Sequence, residues 1–228
     1  MDVLTIVDNL LSVNNGIIRT ADVVTAGISR TTLSTLVKNG ILERVAHGQY
    51  IRPDSIVDEL YILQQRSNKI VYSHETALYL HDIAERTPFL HSLTIPSSDK
   101  LSPVLSDGCK VYYVKPELHG LGLCSVMSKM GNKVITYDAE RTICDILRSR
   151  NRIDSQTLST ALTLYATRKE NNWGNLREYA ETFRVTKLLR QYLEVLTGSG
   201  KWYLPSAGSN LSFHATLTAL QDSSLRSE

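Results

Sequence analysis

The stretch from Ser29 to Gly40 combines short hydroxyl side chains with cations at helical spacing and contains no carboxylate. Its apolar residues, Leu33, Leu36 and Val37, recur at i, i+3 and i+4, so they mark the buried face of a helix. The polar residues that point away from this face are Thr31, Ser34, Thr35 and Lys38, and Arg30 lies in the first turn. Hydroxyls can hydrogen-bond base edges and phosphates, and cations attract phosphates. The outward face therefore suits a helix that enters the major groove of DNA.

A predicted β-hairpin follows this helix and adds further candidate phosphate contacts. Residues 41–45 and 49–52 favour two strands, with a tight turn at His47-Gly48 between them. The polar side chains that would reach the flanking DNA backbone or minor groove are Arg44, His47 and Arg52.

Three helices and the hairpin together predict a winged helix-turn-helix domain over residues 1–53. A first helix begins near Val3, Thr20 is expected to cap a second, and Ser29 caps the third, with Gly27 in the intervening turn. Helix-turn-helix geometry serves DNA binding, but it also serves docking between proteins. Both functions stay open on this pattern alone.

Composition excludes several classes of protein. With 25 Lys plus Arg against 23 Asp plus Glu, the net charge of +2 excludes a protein that coats polyanions. The three cysteines form no CxxC pair, so they indicate neither a zinc finger nor a disulfide framework. The N-terminus lacks the basic region of a signal peptide, and no apolar run reaches the ~20 residues of a membrane helix. We expect a cytoplasmic protein with no membrane partner.

Residues 54–197 are predicted to form a larger mixed α/β domain with a helical end, so the expected fold class is α+β. The predicted elements are a helix over 54–66, a strand at 70–72, a helix from Ser73, strands at 92–95, 110–114 and 133–136, a helix over 139–150 that Asp138 caps, and helices from Ser155 onward. Residues 198–228 form a Ser-rich tail that is either native or vector-derived.

Two histidines in this larger domain are the first alternative to a binding function. His74 and His81 are seven residues apart and so share one face of a helix, which could indicate a metal or acid–base site. No third ligand is evident, and a hydrogen-bonded histidine beside a capping Ser73 is the favoured interpretation.

The carboxylates near residue 140 are the second alternative. Asp138 as an N-cap, and Arg141 paired with Asp145 at i+4, account for this cluster without chemistry. Glu140 and Asp145 are five residues apart and do not share a face closely. We therefore expect no catalytic residue, no metal and no cofactor.

The last helices are the most basic segment and could form a second patch of phosphate contacts or a docking surface, although a merely solvated helix surface accounts for them as well. The residues concerned are Arg168, Lys169, Arg177, Arg184, Lys187 and Arg190.

Three segments resemble the AbiEi antitoxin family of bacterial type IV toxin–antitoxin, or abortive infection, systems. They are GIIRTADVVTAGISRTTLSTLVKNGILERVAHGQYIRP, YSHETALYLHDI and ITYDAERTICDIL, and the resemblance spans about residues 3–197. In the second segment Asp82 stands where the family more usually has glycine.

The resemblance implies an antiviral antitoxin that doubles as a transcriptional repressor. Such proteins bind inverted repeats in the operator DNA of their own operon, and their C-terminal domain counteracts a nucleotidyltransferase-like toxin without needing a stable complex with it. The alternatives are a DNA-tethered nuclease-like enzyme, which would need a clustered carboxylate set, and a non-enzymatic interaction module.

Overall fold

The computed structural model describes residues 2–197, and these divide into two compact units. The first contains residues 2–66 together with Met130–Asn132, and the second contains residues 67–129 and 133–197. The predicted tail, 198–228, lies outside the described residues. Within residues 2–197, no helix has both the length and the apolar character that crossing a membrane requires.

The first unit is a winged helix-turn-helix, as the sequence predicts. Its elements are α1 (Val3–Val13), β1 (Ile18–Arg19), α2 (Thr20–Thr25), α3 (Arg30–Lys38), β2 (Glu43–Ala46), β3 (Gln49–Ile51) and α4 (Glu59–Gln64). The three strands form an antiparallel sheet in the order β1-β3-β2, with β2 and β3 as the wing. The apolar faces of the first three helices pack into one core, in which Val7, Val23 and Leu33 are almost fully buried.

Two local predictions for this unit are wrong. Thr20 is the first residue of α2 rather than its cap, because the Asp22 carboxylate accepts a bond from the backbone N–H of Arg19 instead. The helix predicted from residue 54 begins only at Glu59, where the Asp58 side chain accepts from the N–H of Tyr61.

The second unit is a five-stranded mixed sheet with helices. Its elements are β4 (Val71–Tyr72), α5 (His74–Leu80), β5 (His91–Pro96), α6 (Pro103–Ser106), β6 (Cys109–Val114), α7 (Pro116–His119), β7 (Leu123–Met127), β8 (Lys133–Tyr137), α8 (Ala139–Arg148), a 3-10 turn (Arg150–Arg152), α9 (Ser155–Thr167), α10 (Trp173–Thr182) and α11 (Thr186–Thr197). The strand order is β6-β5-β4-β8-β7, with β4–β8 and β5–β6 parallel and the other pairs antiparallel. The expected α+β class is confirmed.

Helix α8 lies at the centre of this unit and carries charge into its core. The Asp138 carboxylate caps it by accepting from the N–H of Arg141 at 2.7 Å, as predicted. The predicted pair also forms, with Arg141 Nε donating to Asp145 at 3.0 Å, but both side chains are buried, at 0% and 1% exposure. Gly122, at φ +72°, is required here because a Cβ on it would lie 2.8 Å from the Cβ of Arg141.

His74 is buried and hydrogen-bonded, which confirms that part of the favoured interpretation of the histidines. Its Nδ1 and Nε2 lie 2.9 and 3.0 Å from the hydroxyl oxygens of Ser73 and Ser149, and its ring stacks on Tyr112. Ser73 does not cap α5 with its side chain; its hydroxyl oxygen accepts instead from Thr94, at 2.8 Å. Burial, and then the nearby arginines, lower the pKa of His74 well below its ordinary value of 6.5.

The pKa of His74 predicts that the protein loses stability in mild acid. Below pH 6.5 His74 binds a proton in the unfolded chain but stays neutral in the native state. The free energy of unfolding therefore falls as the pH falls. One such group contributes a slope of up to about 1.4 kcal/mol per pH unit. Denaturant unfolding between pH 7.5 and 5.5 measures that slope.

The matched variant is His74→Asn, because asparagine tolerates the φ of 46° at this position and does not titrate. We expect a shallower slope in His74→Asn, although some slope remains because burial also lowers the pKa of His81. An unchanged slope would contradict the assignment to His74.

Candidate nucleic-acid interface

The orientation of α3 is set by its cap and its apolar side. The Ser29 hydroxyl accepts from the N–H of Thr32 at 3.0 Å, which fixes where the helix begins. Leu33 and Leu36 are buried, so the opposite side of the helix faces outward. All five predicted contact residues of this helix are exposed: Arg30, Thr31, Ser34, Thr35 and Lys38.

The three hydroxyls on this face differ in what they can offer a ligand. Ser34 Oγ and Thr35 Oγ1 donate to the carbonyls of Arg30 and Thr31, at 3.0 and 3.1 Å. Their protons are thus used within the helix, and their oxygens remain able to accept bonds from base amino groups. The Thr31 hydroxyl makes no bond among the described residues and can both donate and accept.

The cations of this face are not neutralised. Arg30 and Lys38 form no ion pair among the described residues, whereas Arg19 pairs with Asp22 at 3.2 Å and Arg52 pairs with Asp8. Eight residues of helix separate Arg30 and Lys38 by about 12 Å along the axis, close to the ~12 Å width of the major groove. The unpaired charge of α3 is therefore spread along the whole length of the helix.

The wing holds two of its three candidate residues, Arg44 and His47, together. Arg44 Nη2 lies 3.0 Å from His47 Nδ1, and Arg44 Nε donates to the carbonyl of Ala46 at 3.2 Å. A guanidinium can only donate, so His47 accepts at Nδ1 and the proton of the neutral ring lies on Nε2. Both side chains are exposed, and each keeps a donor for a phosphate oxygen.

Arg52 is a structural residue rather than a free contact. Besides the pair with Asp8, it donates to the carbonyl of Ile41 at 3.3 Å.

The sequence also does not reveal that the turn of the wing is bonded to α2. There the Gly48 carbonyl accepts from the N–H of Thr20 at 2.9 Å. A Thr beside a two-residue strand and a Gly turn far along the chain is too weak a signal to predict this.

The second basic patch is only partly assembled. Arg168 is half-buried and Arg177 pairs with Glu181 at 3.1 Å. The other four residues are exposed and make no ion pair among the described residues: Lys169, Arg184, Lys187 and Arg190. Lys169 lies in the loop after α9 and Arg184 in the loop after α10, whereas Lys187 and Arg190 share one side of α11. Their role stays a prediction.

The alternative chemistry has no visible site among residues 2–197. No group of three or more His, Cys, Asp or Glu residues there could hold a metal ion. His81 Nε2 lies on the carbonyl of Tyr137 at 2.6 Å, and Glu140 accepts bonds from the Tyr165 hydroxyl and the N–H of Asn172. Glu75 accepts from Lys110 at 2.8 Å.

Comparisons with known proteins identify a similar fold and a matching family model. No curated protein matches the chain. The fold is similar to the crystal structure of the Rv2827c protein from Mycobacterium tuberculosis, with a TM-score of 0.61 and 14% identity over 93% of this chain and 79% of that one. Residues 6–53 match the family model described as transcriptional regulator, AbiEi antitoxin. The predicted resemblance is confirmed over residues 6–53, where the winged helix-turn-helix is similar to that of the AbiEi antitoxin transcriptional regulators.

Proposed function

We propose that this protein represses its own toxin–antitoxin operon by binding inverted repeats through α3 and the wing. The observation that carries the proposal is the exposed, carboxylate-free face of α3, whose cations are unpaired among the described residues while Arg19 and Arg52 are paired. The contacts we propose are the seven predicted residues: Arg30, Thr31, Ser34, Thr35, Lys38, Arg44 and His47. We take residues 1–53 as the DNA-binding domain, and the cytoplasm as its place of action.

The second part of the proposal concerns residues 54–197, which we propose as the domain that counteracts a nucleotidyltransferase-like toxin. It rests on the AbiEi match and on the two downstream segments that resemble the family. A stable complex with the toxin is not required. No described cluster favours an enzymatic role over this one.

One experiment separates the two activities. The full chain and a Lys38→Ala/Arg44→Ala variant are expressed beside a reporter driven by the upstream region of the operon, and beside the nucleotidyltransferase-like product of the adjacent reading frame. We expect the variant to lose repression and to keep protection from the toxin, because both substitutions lie on the exposed DNA face. Repression unchanged in the variant would refute the DNA interface. Wild-type protein that fails to protect would refute the antitoxin role.

A further inference from the structure

Strand β7 ends the sheet of the second unit with an unprotected edge. It pairs on one side with β8, in a register that sets Leu123 opposite Tyr137 and Met127 opposite Lys133. The N–H of Asp138 donates to the carbonyl of Gly122, so Gly122 belongs to a hydrogen-bonded pair of this ladder. Every second residue of an antiparallel strand belongs to such a pair, so Cys124 and Val126 also direct their backbone groups toward β8. The backbone groups of Leu123, Ser125 and Met127 therefore point away from the sheet.

These outward groups are unused in the described part of the chain. No backbone hydrogen bond outside the β7–β8 ladder involves Leu123, Ser125 or Met127 among residues 2–197. Natural sheets usually protect an edge with a charge, a proline or a covering segment. The sequence Leu123–Met127 contains neither a charge nor a proline.

The side chains on this edge are also unusually apolar for a surface. Leu123 is 44% exposed and Met127 is 60% exposed, and Ile135 of β8 is 39% exposed beside them. The alternation of the strand places Leu123, Ser125 and Met127 on one face of the sheet. An exposed edge of this kind favours pairing with another strand.

The pattern of β7 matches its own copy. In an antiparallel pair centred on Ser125, the residues with free backbone groups meet one another: Leu123 meets the copy's Met127, and Ser125 meets itself on the two-fold axis. Each such pair exchanges two N–H···O bonds, about six in all. Each leucine gains an apolar neighbour, and no like charges are opposed.

We propose that two copies of this protein associate through β7, joining their sheets into one continuous antiparallel edge about Ser125. The occupant is a second copy because Leu123 and Met127, the apolar side chains on the exposed face, are equidistant from Ser125 and meet each other across the two-fold axis. The proposal does not depend on DNA binding.

The test uses charge at the two-fold axis. Ser125 is exposed and its N–H faces away from β8, so Ser125→Lys and Ser125→Glu leave the fold intact and place like charges opposite each other. Sedimentation velocity over a concentration series of the full chain, without DNA, measures association. We expect the wild type to form dimers and each variant to dissociate about tenfold more readily or worse.

Mixing the two variants gives the discriminating result. Lysine opposite glutamate should restore association as a mixed dimer, whereas Ser159→Lys, an exposed serine on α9, serves as the matched control and should dimerise like the wild type. A wild type that stays monomeric at every concentration overturns the proposal, whether β7 stays bare or is covered by residues 198–228. Dimers that Ser125→Lys does not weaken, or a mixture that fails to restore them, overturn it as well.

A second variant checks the register directly. Cys124 would lie opposite the copy's Val126 in a close, non-hydrogen-bonded pair, so Val126→Cys should form disulfides between copies. Burial raises the pKa of the Cys124 thiol to about 11, so a catalysed oxidation is used. The same variant with Cys124→Ser should form no such crosslink. Equal crosslinking in both proteins would contradict this register.

Discussion

Replacing Lys38 and Arg44 together by alanine should lower the salt dependence of operator binding by about two in the slope of log K against log salt. Each cation that neutralises a phosphate releases about one counterion, and removing it removes that release. Lys38 is exposed at the end of α3, and Arg44 is exposed in the wing beside His47. At low salt the affinity should fall by on the order of 10- to 100-fold. Gel-shift or fluorescence titrations across a salt series on the upstream DNA measure both quantities.

The matched control removes two exposed cations of the second unit, with Arg86→Ala and Lys100→Ala. It leaves the net charge of the protein equal to that of the test variant, so a slope that changes equally in both would indicate bulk charge rather than α3 and the wing. An unchanged slope in Lys38→Ala/Arg44→Ala would remove these residues from the interface.

Thr31→Ala offers a further distinction, because losing a base contact should reduce discrimination between sequences without changing the slope.

Replacing Asp145 by alanine should cost about 3–5 kcal/mol of folding free energy. Arg141 is fully buried, and Asp145 is its carboxylate partner at 3.0 Å. Nη1 of Arg141 also donates to the carbonyls of Leu118 and Leu121, at 3.0 and 2.9 Å. Those bonds do not compensate a full charge, so the substitution leaves a buried cation without its counter-ion. Urea unfolding of the second unit, followed by circular dichroism, measures the loss.

A paired replacement tests the reason for that loss. Arg141→Met with Asp145→Leu removes both charges, so it should be much less destabilising than Asp145→Ala alone. The Met side chain would still lie between the rings of Tyr137 and Phe183. In the wild type, Cζ of Arg141 is 4.3 and 4.0 Å from the centroids of these rings. If Asp145→Ala is as stable as wild type, or if the double variant is worse than the single one, the buried pair does not act as described.

The winged helix was predictable because its signals are local. Ser29 bonds the backbone three residues on, Leu33 and Leu36 lie on one side of a single helix, and the glycine of the wing turn lies between two strands adjacent in sequence. The exposure of Lys38 and Thr31 follows from the same periodicity. Each of these features needs only neighbours in the chain.

The features that sequence analysis missed depend on distant neighbours. Strand β1 is two residues long and exists only because Ile18 pairs with Tyr50. Strand β7 has few β-branched residues and is held in register by β8. The burial of the Arg141–Asp145 pair also requires α8 to be covered on all sides, which an i+4 spacing cannot reveal. Arg52 was predicted as a DNA contact because the sequence does not show its ion partner, Asp8, which is 44 residues away.

The bond between Thr20 and Gly48 has a thermodynamic consequence for recognition. Because it joins the turn of the wing to the start of α2, the wing is held in place before any DNA arrives. A wing that is ordered only on binding would lose about 1–2 kcal/mol of conformational entropy for each residue that becomes fixed. Here that entropy is lost when the domain folds, so association should be rapid and should show little of the heat-capacity change that accompanies coupled folding. If the proposed operator binding is right, the DNA meets a surface whose shape is already set, and a sequence that fits poorly must itself deform.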